Sequence, residues 1–182
     1  MGRTAADAAP RRIVVGVAAS AASVAAVTWA AREAVLRGAV LHAVHAWEPA
    51  ARGRAPYAPG LRGVDHDGER RAAEALLRAV AQEGLSGAGQ AATRPGIAGP
   101  LLEVAEGLTV QVLLHRAAGA ELLVLGGAPA AEDAAGHLPS GHLGPVARAC
   151  LRAAPCPVVT VAAQHVAARR VPDPVRKLAG VS

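Results

Sequence analysis

The chain of 182 residues predicts an α/β domain, a five-stranded parallel sheet between two helical layers, on three observations. Short apolar runs recur along it, separated by longer segments with helical periodicity, and a run–helix–run unit makes parallel neighbours. The runs are apolar throughout, as strands covered on both faces are. The hydrophobic content of 52% is carried by Ala, Val and Leu, with aromatics at 2% and no phenylalanine. A core of small aliphatic side chains suits such a sheet. Five strands alternating with four helices through right-handed crossovers give a Rossmann-like three-layer α/β/α arrangement.

The elements follow in order. Residues Met1 to Pro10 are an alanine-rich leader expected to be disordered, and Ile13 to Val17 is the first buried strand. A turn at Ala18–Ser20 leads into a helix running to about Arg37, whose buried face is Val24, Val27, Ala31 and Val35, with Ser23, Arg32, Glu33 and Arg37 elsewhere. Gly38 supplies a helix stop, and Val40 to Trp47 is the second strand, with His42 and His45 on opposite faces and one of them packed in the core. Glu48 to Gly68, rich in Pro, Gly and Arg, is a long loop. Glu69 to Glu83 is a helix burying Ala73, Leu76, Leu77 and Val80, and Gly84 ends it. Leu101 to Ala105 is a short third strand, and Thr109 to Ala118 a helix burying Val110, Leu113, Leu114 and Ala117.

The last unit runs from Glu121 to Ala163. Leu122-Leu123-Val124-Leu125 is a strand ending at Gly126-Gly127. A loop of small residues reaches to Leu143, and a short helix follows from Gly144 to Arg152. Pro145 suits the first helical position, which needs no N–H partner. Val158-Val159-Thr160-Val161 is the fifth strand, and Gln164 to Ser182 is a basic tail beyond the fold. The domain therefore spans residues 11–163.

Charge excludes one class of function. The net charge is +5, but residues 1–12 hold three arginines against Asp7, and residues 164–182 hold four basic groups against Asp173. The body between them has 12 basic and 12 acidic residues. A nucleic-acid surface needs clustered positive charge with stacking aromatics, and neither is evident. Cys150 and Cys156 make neither a disulfide framework nor a zinc site, and read as small buried residues in a reducing cytosol. Glu132, Asp133, His137 and His142 lie close in sequence, but no helix or turn fixes them as metal ligands, so they read as a solvated loop. No G-x-S-x-G elbow or Cys–His pairing appears, and the sequence offers no catalytic constellation. Arg11-Arg12 before a long Ala/Val run allows an alternative, an exported chain with a cleaved twin-arginine-like signal. Against it, the run continues into Arg32-Glu33 with an amphipathic pattern, and its alanines make a poor transmembrane segment.

A glycine loop between a strand and a helix N-terminus is a natural anion site, because backbone approaches closely and first-turn N–H groups point at the ligand. This unit, with Leu-Val-Leu-Gly before the loop and Ala-Pro-Cys-Pro-Val-Val after it, resembles the C-terminal half of universal stress proteins (UspA-like domains). There the loop reads G-x2-G-x9-G-[ST] and holds the phosphates of ATP. The opening, Ile13-Val14-Val15-Gly16-Val17-Ala18-Ala19-Ser20 followed by Trp29-Ala30, is similar to the family pattern I-V-V-G-V-D-x-S…A-x-x-W-A. The resemblance covers about residues 11–163. It implies strand order 3-2-1-4-5, homodimers through the last strand (Val158, Val159, Thr160, Val161) and a nucleotide site at Val17, Val44, Gly126, Gly127, Gly144 and Val146.

Within that site the chain departs from the pattern. The aspartate at the adenine end is Ala18, the second motif glycine is Pro129, and the Ser/Thr after the last glycine is Pro145. Gly126 and Gly144 are 18 apart where the motif has 13. Glu132 and Asp133 add negative charge that opposes a triphosphate. Each lost contact costs about 1–3 kcal/mol, enough together to remove micromolar affinity. The expectation is a cytoplasmic, dimeric regulatory or interaction module of the stress response that has lost standard ATP binding, has no turnover of its own, needs no cofactor and meets an unknown protein partner, without contact to nucleic acid or membrane. The alternative is a divergent ATP binder, with weak hydrolysis at most, using the main chain of Gly126, Gly144 and Val146.

Overall fold

The computed structural model describes residues 11–49, 65–89, 99–127 and 143–163. The predicted leader, the C-terminal tail and the loop carrying Pro129, Glu132, Asp133, His137 and His142 lie outside the described residues. Five strands, β1 (Arg12–Gly16), β2 (Val40–Trp47), β3 (Leu101–Glu106), β4 (Leu122–Gly126) and β5 (Val158–Val161), form one sheet in the order β3-β2-β1-β4-β5. Every pairing is parallel. The order reverses between β1 and β4, so the carboxyl ends of these two strands open a crevice.

Helices α1 (Ala21–Arg37) and α2 (His66–Ala88) cover one face, packing Val27, Leu77 and Val80 on Ile13, Val15, Leu41 and Val124. Helices α3 (Thr109–Ala117) and α4 (Pro145–Ala153) cover the other, packing Leu113, Ala117, Ala147 and Cys150 on Val14, Val44, Leu123 and Leu125. Ile13–Val15 of β1 and Leu122–Leu125 of β4 are buried on both faces, which is why these runs carry no polar side chain.

Local chemistry sets the helix ends. Ser20 caps α1, its hydroxyl accepting from Ser23 N–H at 3.1 Å, and Gly38 closes the helix in the left-handed region at φ 63°. Asp65 caps α2 by accepting from Gly68 N–H at 2.8 Å, with Asp67 and Glu69 in the first turn to complement the helix dipole. Gly144 and Pro145 begin α4, proline at a position where no N–H is needed.

Three expectations are corrected. Gly84 does not end α2; the helix continues to Ala88, with Gly84 buried in its interior. A Cβ at Gly84 would lie 2.6 Å from Val27 Cβ and 3.0 Å from the carbonyl oxygen of Val24, so glycine here lets α1 and α2 approach. Thr28 Oγ1 donates to Gly84 O at 2.9 Å across the same contact. The buried face of α1 is rotated from the expected one: Ser23, Ala26, Ala30 and Ala34 are buried, whereas Val24 and Val35 are half-buried. Small residues are chosen because two neighbours press on this helix. Finally, β1 ends at Gly16, leaving Val17 just past the strand.

Candidate functional site

The crevice at the β1–β4 reversal is a cleft of about 250 Å³, and Val17, Val44, Gly126, Gly127, Gly144 and Val146 all line it. One wall is the turn after β1, a second is the start of α4, and Val44 and Ala46 of β2 with Thr109 and Leu113 of α3 close the side. No charged side chain lines it among the described residues.

The glycines divide by role. A Cβ at Gly126 would stand 2.8 Å from Ala22 C and 3.0 Å from Ala22 O and Ser23 N. Gly126 therefore admits the first turn of α1 against β4, a packing requirement that exists without any ligand. Gly127 has only ordinary contacts for an added Cβ, the nearest at 3.4 Å, and its N–H donates to Val161 O at 2.8 Å, extending the β4–β5 ladder. Neither glycine is reserved for a phosphate by its own geometry.

The N–H donors lie at the helix starts. In α4 the first intrahelical bond is Arg148 N–H to Gly144 O at 3.0 Å, so the N–H groups of Val146 and Ala147 precede the ladder. In α3 the first is Val112 N–H to Leu108 O at 3.0 Å, leaving those of Thr109, Val110 and Gln111 before it. Neither helix has a side-chain cap, unlike α1 and α2. Two uncapped helix N-termini thus border one cleft, which favours an anionic group there. Pro145 subtracts one donor from this set, and with no hydroxyl it offers nothing in return.

The wall after β1 is the reverse. Val17 N–H donates to Val44 O at 2.8 Å and Ser20 N–H to Ala18 O at 2.8 Å. Ala18 N–H donates to Ser23 Oγ at 3.0 Å, and His45 Nδ1 meets Val17 O at 2.8 Å. The main chain that would read a ligand is already engaged within the protein.

Ser20, Ser23, Thr109 and Leu113 are site residues that sequence reasoning missed. Helical spacing places Ser23 off the expected buried face, whereas the structure buries it. Thr109 and Leu113, spaced i, i+4 at the start of α3, reach the cleft because α3 crosses the sheet from β3 back to β4 and packs over Val14 and Val44 on the way.

A second group of titratable residues sits near the opposite, amino-terminal ends of the strands. His42, 2% exposed, places Nε2 at 2.8 Å from Glu103 Oε2, and Arg116 Nε donates to both Glu103 oxygens at 2.9 Å. Arg12 donates through Nη2 to the carbonyls of Arg116 and Ala118, each at 3.0 Å, closing the end of α3. Burial pushes the His42 imidazole below its ordinary value near 6.5, only partly opposed by Glu103, while hydrogen bonding from Arg116 holds the Glu103 carboxyl low. The fold therefore favours the neutral imidazole of His42. Its contribution to stability is complete above pH 6.5 and is lost as pH falls below that, since the unfolded chain then binds the proton first. Urea unfolding at pH 7.5 and pH 5.5 is expected to show a stability loss that His42→Phe reduces; an unchanged slope would contradict this account. Among the described residues no three metal-ligating side chains converge, and no helix is long and apolar enough to cross a membrane.

The model of the universal stress protein family matches residues 10–162 of the chain. Solved structures share the fold. A universal stress protein in complex with cAMP is 23% identical, with 86% of this chain and 100% of that chain covered at a TM-score of 0.55. Universal stress protein UspA from Lactobacillus plantarum is 22% identical, with 85% and 99% covered at 0.55. The universal stress protein from Archaeoglobus fulgidus in complex with dAMP is 19% identical, with 83% and 97% covered at 0.54. None of the curated proteins compared matches the sequence.

Proposed function

Because the chain belongs to the universal stress protein family, we propose that it is a non-enzymatic regulatory module whose cleft takes a small adenylate-type ligand and has lost standard ATP binding. The observation that carries this is the composition of the cleft: the uncapped start of α4 lines it with Gly144, Val146 and Ala147 and that of α3 borders it through Thr109, while its described walls hold no cationic side chain to meet a polyphosphate. The relatives in complex with cAMP and dAMP carry ligands of the adenylate class. Ala18 removes the carboxylate that the family pattern places at the adenine end, and Ala18 N–H is bound to Ser23.

Calorimetric titration with AMP, ADP and ATP, with and without magnesium, tests this. AMP is expected to bind at least as tightly as ATP. ATP binding tenfold more tightly than AMP would mean that the long loop builds a phosphate cradle in a new register. No heat with any of the three would remove the ligand from the proposal and leave a protein-interaction module.

The module is proposed to be a homodimer through β5, whose second edge is unpaired among the described residues and whose Val158, Val159 and Val161 are half-buried in the single chain. Light scattering on the same preparation should then give twice 18.2 kDa. A cytoplasmic location is supported by β1: removing the first thirty-odd residues as an export signal would delete the central strand and most of α1.

A further inference from the structure

The wall after β1 is held from behind by a residue that does not line the cleft. Along β2, Leu41 and Ala43 face α1 and α2, whereas Val44 packs with the α3 and α4 cluster and lines the cleft. Strand alternation puts His45 on the α1 and α2 side. From there its Nδ1 approaches Val17 O at 2.8 Å. A carbonyl oxygen only accepts, so Nδ1 carries the proton. Ser23 completes the restraint one residue later, with Oγ accepting from Ala18 N–H at 3.0 Å and meeting Ser20 Oγ at 3.1 Å. Val17 N–H is already tied to Val44 O.

We propose that His45 is a positioning residue for the cleft, holding the Val17 carbonyl inward through Nδ1–H and so presetting the wall against which the ligand packs. The inference rests on the cleft being the ligand site proposed above. Its physical basis is preorganisation: a wall ordered before binding loses less freedom when the ligand arrives. Without the imidazole, the Val17–Ala18 peptide is held from one side alone, by the bond from Ala18 N–H to Ser23 Oγ, and the Val17 carbonyl loses its side-chain restraint from β2.

His42 supplies an internal contrast on the same strand. Its Nε2 faces a carboxylate that accepts, so His42 carries its proton on Nε2 and His45 on Nδ1. Imidazole 15N spectra of the full-length wild-type chain at pH 8 should show His45 as the Nδ1–H tautomer; an Nε2–H tautomer at His45 overturns the proposal. Three variants then read the effect on AMP affinity. His45→Ala should weaken AMP binding at least fivefold. His45→Asn, whose amide nitrogen branches from Cγ as Nδ1 does, should restore it to within twofold, and His45→Gln should not. Equal affinity in all three overturns the proposal, because loss of mere bulk would not separate Asn from Gln. If the wild type binds no AMP, the reading of the cleft fails, and the tautomer still decides whether the clamp exists.

Discussion

Replacing Gly84 by valine will destabilise the fold by about 3 kcal/mol or more, read as a shift in urea midpoint at constant slope. A Cβ at this position meets Val27 Cβ and Cγ1 at 2.6 Å and Val24 O at 3.0 Å. The obstructing atoms are a β-branch and a backbone carbonyl, which cannot swing aside as the tip of a long side chain would. The two helices must separate, opening the contacts between Val27, Leu77 and Val80 and stretching the bond from Thr28 to Gly84 O. Helix propensity pushes the other way, since valine is a better helix former than glycine by roughly 0.3–0.5 kcal/mol. That gain is small beside the overlap. A neutral or stabilised Gly84→Val protein would show that Gly84 acts only as a local helix feature.

Gly126→Ala is expected to cost about 1–3 kcal/mol, or about 2–4 °C in Tm for each kcal/mol in a domain of this size. The added methyl would press on Ala22 C, Ala22 O and Ser23 N at 2.8–3.0 Å, all main chain of the first turn of α1. The variant separates two meanings of the same glycine. If its purpose is to admit a phosphate, AMP affinity falls while unfolding is unchanged. If its purpose is to seat α1 on β4, stability falls even without ligand, and we expect the second. Thermal unfolding in nucleotide-free buffer decides between them.

Most of the architecture was legible because its signals are local. Ile13–Val15 and Leu122–Leu125 are uninterrupted apolar runs, and a strand buried on both faces can look no other way. Gly38 ends α1 as expected, since only a residue free of Cβ strain takes its φ of 63°. Gly84 sends the same letter for a different reason. Its purpose is the space between two helices, and nothing within a few residues of it in sequence records where Val27 will be. Ser23 is a similar case: its place off the expected apolar face is local, but the turn after β1 that uses its hydroxyl is seen only in the fold.

The sequence by itself determined the alternation of strands and helices, the neutral body between basic ends, and the loss of hydroxyl and N–H at Pro145. These are properties of single residues or of short periodic segments, and the physics that fixes them acts over one or two turns. Only the tertiary structure decided that Thr109 and Leu113 share a cleft with Gly144 and Val146, that Gly126 faces the backbone of Ala22, and that His45 holds Val17 from the far side of the sheet. Each joins elements that are distant along the chain. Such contacts arise from strand order and helix approach, which are settled by burying all the apolar faces at once.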